Sequence, residues 1–131
     1  MVAYGQLFRP HEHDGFAAFD GDAVVGLVTY RIERAECEVL SLDSLRERQG
    51  IGTTLMNAVI QQANSHACTR IWLVTTNDNL NALAFYQKRG FVISAVRLNA
   101  LAETRKHKPN IPLVAENGIP IRDEIEMELR L

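Results

Sequence analysis

The sequence predicts an α/β fold: a mixed central sheet with an antiparallel N-terminal meander, a parallel strand pair and flanking helices. Three observations predict it. Short runs rich in Val, Leu and aromatic residues between Gly15 and Leu42 are separated by turn-forming stretches, as in a meander. A Gly50-Ile51-Gly52 turn then separates the strand-like Glu38-Val39-Leu40-Ser41-Leu42 from an apolar stripe, Ile51, Leu55, Val59 and Ala63, repeating every four residues. A second strand-like run, Ile71-Trp72-Leu73-Val74-Thr75, leads into a second helical stretch, and strands alternating with helices imply right-handed parallel crossovers.

The elements follow in order β-β-β-α-β-α-β. Residues 1–14 are the least defined, although Val2-Ala3-Tyr4 suits a short strand. Phe16–Phe19 and Ala23–Tyr30 read as a hairpin about Asp20-Gly21-Asp22, since Asp-Gly is a strong hairpin signal. A turn at Glu33-Arg34-Ala35 leads into a strand at Glu36–Leu42. A helix over about Gly50–Ser65 crosses to a strand at Arg70–Thr75, and a helix over about Leu80–Lys88 crosses to a strand at Phe91–Val96. Asn99–Lys106 suits a short helix, Pro109, Pro112 and Pro120 impose an extended loop, and Glu124–Leu131 alternates polar and apolar residues as a half-buried strand does.

At 131 residues the whole chain, 1–131, reads as one domain, large enough to bury a core without staples. A net charge of −2 lends nucleic-acid binding no electrostatic support. No apolar run approaches membrane-spanning length. Cys37 and Cys68, without a Cys-x-x-Cys pattern, read as reduced, buried thiols of a cytoplasmic protein. His11-Glu12-His13-Asp14 has the residue types of a metal site but not its spacing, and reads as a solvated loop; no metal is expected.

The chemistry centres on Glu47-Arg48-Gln49-Gly50-Ile51-Gly52-Thr53. A helix N-terminus presents unpaired amides and partial positive charge, and glycines let an anion approach, which suits a phosphate. Leu55 stands where the dinucleotide fingerprint needs a third glycine, and the nucleoside-triphosphate loop's Gly-Lys-Ser/Thr ending is absent. Taken alone, the turn is compatible with a purely structural role. A second block follows: Asn79, Ala82, Tyr86, Gly90 and Phe91.

The two blocks together, in this order and at this separation, resemble the GCN5-related N-acetyltransferase (GNAT) superfamily over about residues 15–131, in a bacterial subgroup with a shortened N-terminus here. The resemblance implies a single-domain acyl-CoA N-acyltransferase fold that moves an acetyl group from acetyl-CoA to an amine by direct attack. It places coenzyme A at Arg48, Gln49, Gly50, Ile51, Gly52 and Thr53, at Asn79, Ala82 and Tyr86, and at Leu40 and Leu42 on a strand that splays from its parallel neighbour. The Leu40 amide would face the thioester carbonyl, and Tyr86 would be the general acid toward the departing thiolate. For Asn79 a helix cap is the plain reading and is compatible with a cofactor contact, and for Tyr86 and the two leucines core packing is the plain one.

A general base is sought among Glu36 and Glu38, which by period two share a face with Leu40 and Leu42, with Asp43 on the other face. The chain departs from the family at Glu47, where Gln or Arg is usual; Arg46 and Arg48 flank it and offset the phosphate charge. Residues 1–14 are too few for the family's N-terminal helices, so the pocket for a small-molecule or protein amine is reduced, open, or completed by a second subunit as a homodimer. The rival reading is a non-catalytic acyl-CoA-binding or interaction module of the same fold.

Overall fold

The computed structural model describes residues 2–7, 13–46 and 50–131. Seven strands and three helices occur among them: β1 (Val2–Leu7), β2 (Asp14–Asp20), β3 (Ala23–Glu33), β4 (Glu36–Ser44), α1 (Ile51–Ser65), β5 (Arg70–Thr76), α2 (Leu80–Lys88), β6 (Val92–Arg97), α3 (Ala100–His107) and β7 (Glu124–Arg130). The strands are hydrogen-bonded in the order β1-β2-β3-β4-β5-β7-β6. Every expected element is present. The meander gains a fourth strand, because β1 runs to Leu7 and pairs antiparallel with β2 along its length.

Contacts gather in two compact units, residues 1–72 with 130–131, and residues 73–129. In the first, β1 to β4 form an antiparallel ladder and β4 pairs in parallel with the start of β5, through Glu36↔Arg70, Cys37↔Ile71 and Glu38↔Trp72. The β3–β4 turn holds Arg34 at φ 53 and Ala35 at φ 61, two left-handed residues between Glu33 and Glu36, the signs a two-residue hairpin of primed type needs. The stripe of α1 is buried as its spacing requires: Ile51, Leu55, Val59 and Ala63 are all at most 1% exposed. Val28, Tyr30, Cys37 and Ile71 of the sheet are equally sealed from solvent. The close approach depends on Gly26, where a Cβ would stand 2.6 Å from Ile51 Cγ2 and 3.1 Å from Leu55 Cδ1.

In the second unit β6 and β7 pair antiparallel, and Tyr86, Phe91, Leu101, Ile125 and Met127 are buried. The loop before β7 is held by a short antiparallel bridge, Val114↔Pro120, with the amides of Ala115 and Ile121 donating to the carbonyls of Ile119 and Leu113 (each 2.9 Å), and by side chains. Arg105 donates to the carbonyls of Ile111 (3.3 Å), Pro112 (2.7 Å) and Ile121 (2.6 Å). Asn77 donates to the Pro120 carbonyl (2.9 Å) and its Oδ1 accepts from the amides of Arg122 (3.0 Å) and Asp123 (2.8 Å). Prolines lack an amide to donate, and these two side chains supply donors to the carbonyls of Ile111, Pro112, Pro120 and Ile121.

Candidate functional site

β4 does not keep period two. Its register with β3 shifts from Thr29↔Ser41 to Tyr30↔Val39, so Leu40 is an extra residue, a β-bulge. Residues directly opposite each other in a ladder share a face. Cys37, Val39 and Leu42 lie with Ile32, Tyr30 and Val28 on the face that packs on α1. Glu36, Glu38, Ser41 and Asp43 lie with Glu33, Arg31, Thr29 and Leu27 on the opposite face. The expectation that Leu42 shares a face with Glu36 and Glu38 is therefore wrong, and so is the placing of Asp43 on the other side. Simple alternation counts through the bulge and reverses every residue beyond it. Leu40, 37% exposed, is not a core residue.

Both glutamates are engaged. Glu36 accepts from Arg70 at both oxygens, Nε to Oε2 and Nη2 to Oε1, each 3.1 Å. Glu38 Oε1 accepts from Arg31 Nη2 at 2.6 Å. Thr29 and Ser41 are hydrogen-bonded through their hydroxyls at 2.6 Å.

At the start of α1, Gly50 is the N-cap with φ 71 and ψ 10, and no side chain among the described residues caps the helix. Among the described residues nothing lies within 4 Å of where a Gly50 Cβ would stand, and the first turn carries no acidic residue. A left-handed residue there needs glycine, and the bare, uncapped N-terminus suits a phosphate group. Glu47, Arg48 and Gln49 lie outside the described residues. Arg46 Nη1 is 2.6 Å from Asp20 Oδ2, and this neighbour holds the Asp20 carboxyl below its usual range.

The remaining expected residues sit on α2 in the second unit. Asn79 Oδ1 accepts from the Ala82 amide at 3.2 Å, so Asn79 caps the helix. A pocket of about 450 Å³ opens there, lined by Asp78, Asn79, Leu80, Asn81, Ala115, Glu116 and Asn117. The tail loop forms one wall, tied on by Asn117 Nδ2 donating to the Asp78 carbonyl at 2.9 Å. Ala82 is half-buried, and the Tyr86 ring is buried edge-on between Phe85 (5.1 Å) and Phe91 (5.3 Å).

Cys37 and Cys68 are free and buried, and burial pushes the Cys37 thiol up to about 12. His11 and Glu12 lie outside the described residues, and no group of three metal-ligating side chains occurs among the described ones. No helix among the described residues is long and apolar enough to cross a membrane.

The model of the acetyltransferase (GNAT) family matches residues 2–91, through the meander, the Gly50 turn and α2. The chain belongs to the GNAT family. The GNAT chain is 53% identical over 126 residues to the uncharacterized protein YdhI of Bacillus subtilis (strain 168), covering 95% of this chain and 79% of that protein. Among solved structures it matches the IAA acetyltransferase from Bacillus cereus ATCC 14579 with a TM-score of 0.83, 20% identity and full coverage of both chains. A GNAT family acetyltransferase from Elizabethkingia anophelis, with acetyl-CoA bound, matches with a TM-score of 0.81 at 20% identity over 99% of this chain and 98% of that one. These two likenesses show the fold, which is the single-domain α/β GNAT fold with one parallel strand pair, β4 and β5.

Proposed function

We propose that this GNAT protein transfers an acetyl group from acetyl-CoA to an amine by direct attack. The observation that carries the reading is the Gly50 turn: a left-handed glycine with no described residue over the place of its Cβ, at a helix whose first turn has no acidic side chain. It fits a pyrophosphate held by backbone amides, with Ile51, Gly52 and Thr53 supplying them and Arg48 and Gln49, which precede them in the sequence, as further contacts. Asn79 and Ala82 add contacts from α2.

Acetyl-CoA supplies the acetyl thioester. Leu40 and Leu42 hold its arm through their backbone, and the Leu40 bulge frees main-chain groups that a regular ladder would consume. The Leu40 amide donates to the thioester oxygen as negative charge develops there. The acceptor nitrogen forms the new C–N bond, the C–S bond breaks, and Tyr86 gives its phenolic proton to the leaving thiolate. The acceptor's own proton goes to Glu36 or Glu38. Glu36 gives both oxygens to Arg70 whereas Glu38 gives Oε1 to Arg31, which makes Glu38 the stronger candidate. A cytoplasmic location accords with two reduced, buried thiols.

The engagement of both glutamates by arginines also favours a second reading, a non-catalytic acyl-CoA-binding module. Two measurements separate the readings. Acetyl-CoA at a hundredfold excess over its dissociation constant stabilises by about 2.7 kcal/mol, a rise in melting temperature of about 5–10 °C. Thiol release with a panel of amines then reports turnover. A shift with no release supports the binding module, and no shift sinks both readings.

A further inference from the structure

β6 stands last in the hydrogen-bonded order of strands, so only its β7 edge is paired. Among the described residues no main-chain hydrogen bond engages its other edge. Edge strands are usually guarded by charge, by proline, or by a covering helix or loop. β6 reads Val92-Ile93-Ser94-Ala95-Val96-Arg97, without proline. Its charged residue, Arg97, is drawn back onto its own sheet: Nη1 donates to Glu124 Oε1 at 2.9 Å and Nη2 to Glu126 Oε1 at 2.7 Å. What the strand leaves in solvent is apolar. Val92 is 59% exposed, Ile93 48%, Val96 50%, and Leu98, just beyond the strand, 72%.

The two sides of β6 differ. Ile93 and Val96 stand opposite the buried Met127 and Ile125, on the core side. Val92, Ala95 and Arg97 stand opposite Glu128, Glu126 and Glu124, on the polar side. Ser94 Oγ donates to Glu126 Oε2 at 3.0 Å, so Ser94 lies there too, and the register with β7 shifts at this residue. Such a bulge breaks the alternation of sides and spoils most pairings with a further strand. One partner escapes this. When β6 meets an antiparallel copy of itself with Ile93 opposite Val96, the other pairs are Val92 with Arg97 and Ser94 with Ala95. Every pair then joins core side to core side or polar side to polar side, and bulge meets bulge. Sliding the copy by one or two residues sets core-side residues against polar-side ones. The two Arg97 side chains fall at opposite ends of the pairing, so no like charges meet.

We propose that β6 is the interface of a homodimer, paired antiparallel with β6 of a second copy about a two-fold axis normal to the sheet. The copy satisfies the open main-chain edge and brings Ile93 and Val96 of each chain against Val96 and Ile93 of the other.

Sedimentation of the full chain from micromolar to near-millimolar concentration reads the mass, which should rise from 14.7 kDa toward twice that value. Val96→Lys puts a charge on the shared core side and should hold the mass at 14.7 kDa throughout. Val96 is half exposed in the single chain, so this variant should keep the parent's circular dichroism. Cysteine pairing tests the register independently of that variant. Ile93→Cys and Val96→Cys chains are mixed and oxidised with glutathione disulfide. Opposite residues of an antiparallel pair have Cα atoms about 4.5–5.5 Å apart, within disulfide reach, whereas Ile93 lies roughly 10 Å along the strands from its own copy. The mixture should give a covalent dimer that neither variant gives alone, since the native Cys37 and Cys68 are buried. A mass of 14.7 kDa at every concentration, a dimer that persists in Val96→Lys, or a mixture with no more covalent dimer than the separate variants overturns the proposal.

Discussion

At Leu40 a single extra residue decides what β4 presents on each side. Without it Leu42 would stand beside the carboxylates; with it Leu42 turns toward α1, and Leu40 is left partly exposed with its main chain out of the regular ladder. Tyr86 shows the same tension between packing and chemistry. Its ring is buried between Phe85 and Phe91, so Tyr86→Phe keeps the packing and removes only the hydroxyl. On the acetyl-transfer reading turnover should fall by about a hundredfold, the lower end for general acid catalysis, while acetyl-CoA affinity stays nearly the same. A variant with parental turnover would take Tyr86 out of the mechanism. Cys37 makes the opposite case, a nucleophile that is only packing. Its thiol is fully buried and pushed up to about 12, so it carries no reactive thiolate near neutrality. An aromatic disulfide reagent should leave Cys37 unmodified in the native protein and label it on denaturation; native labelling would show that the α1 core opens.

At the scale of elements, α1 depends on Gly26. The helix packs so closely on β3 that a Cβ there would overlap Ile51 Cγ2 at 2.6 Å, and Ile51 is the residue that follows the Gly50 turn. Gly26→Ala should destabilise by about 1–3 kcal/mol through overpacking, and on the acetyl-transfer reading it should also weaken acetyl-CoA binding by moving the helix start. Denaturant melts with and without acetyl-CoA measure both effects; an unchanged midpoint would show that the helix can slide without cost. The boundaries of α1, α2 and the central strands were legible because their signals are strong and local: a four-residue stripe, an Asn cap, a Gly after the last turn. The bulge was not, since its only mark is a register that depends on where β3 lies. Nor were the clamps of the tail loop. Arg105 reaches carbonyls up to 16 residues away and Asn77 reaches 46 residues ahead, and nothing in their local sequence announces it.

For the whole molecule, pH gives a test that touches both units. The Asp123 carboxyl is held below its usual range first by the Asn99 amide and then by Arg122, and the Asp20 carboxyl by Arg46. Each group favours its charged form in the folded state, so its contribution is complete above the ordinary value of 3.8 and is lost as pH falls through the lowered one. Melting temperature should therefore decline below about pH 4, modestly for each group because both are only half-buried and screened by solvent, and Asp123→Asn should flatten part of the decline. An identical acid limb in that variant would show that the Asn99 and Arg122 contacts do not stabilise the fold. The chain's own order of residues was enough for the element order, the buried stripe of α1, the family and the two blocks that carry the resemblance, because periodicity, turns and caps act over a few residues. Tertiary pairing alone decided which face each β4 residue occupies, that Arg46 belongs to Asp20, and that Glu36 and Glu38 are held by Arg70 and Arg31. Those outcomes rest on partners 7 to 34 residues apart in the chain, brought together by strand register.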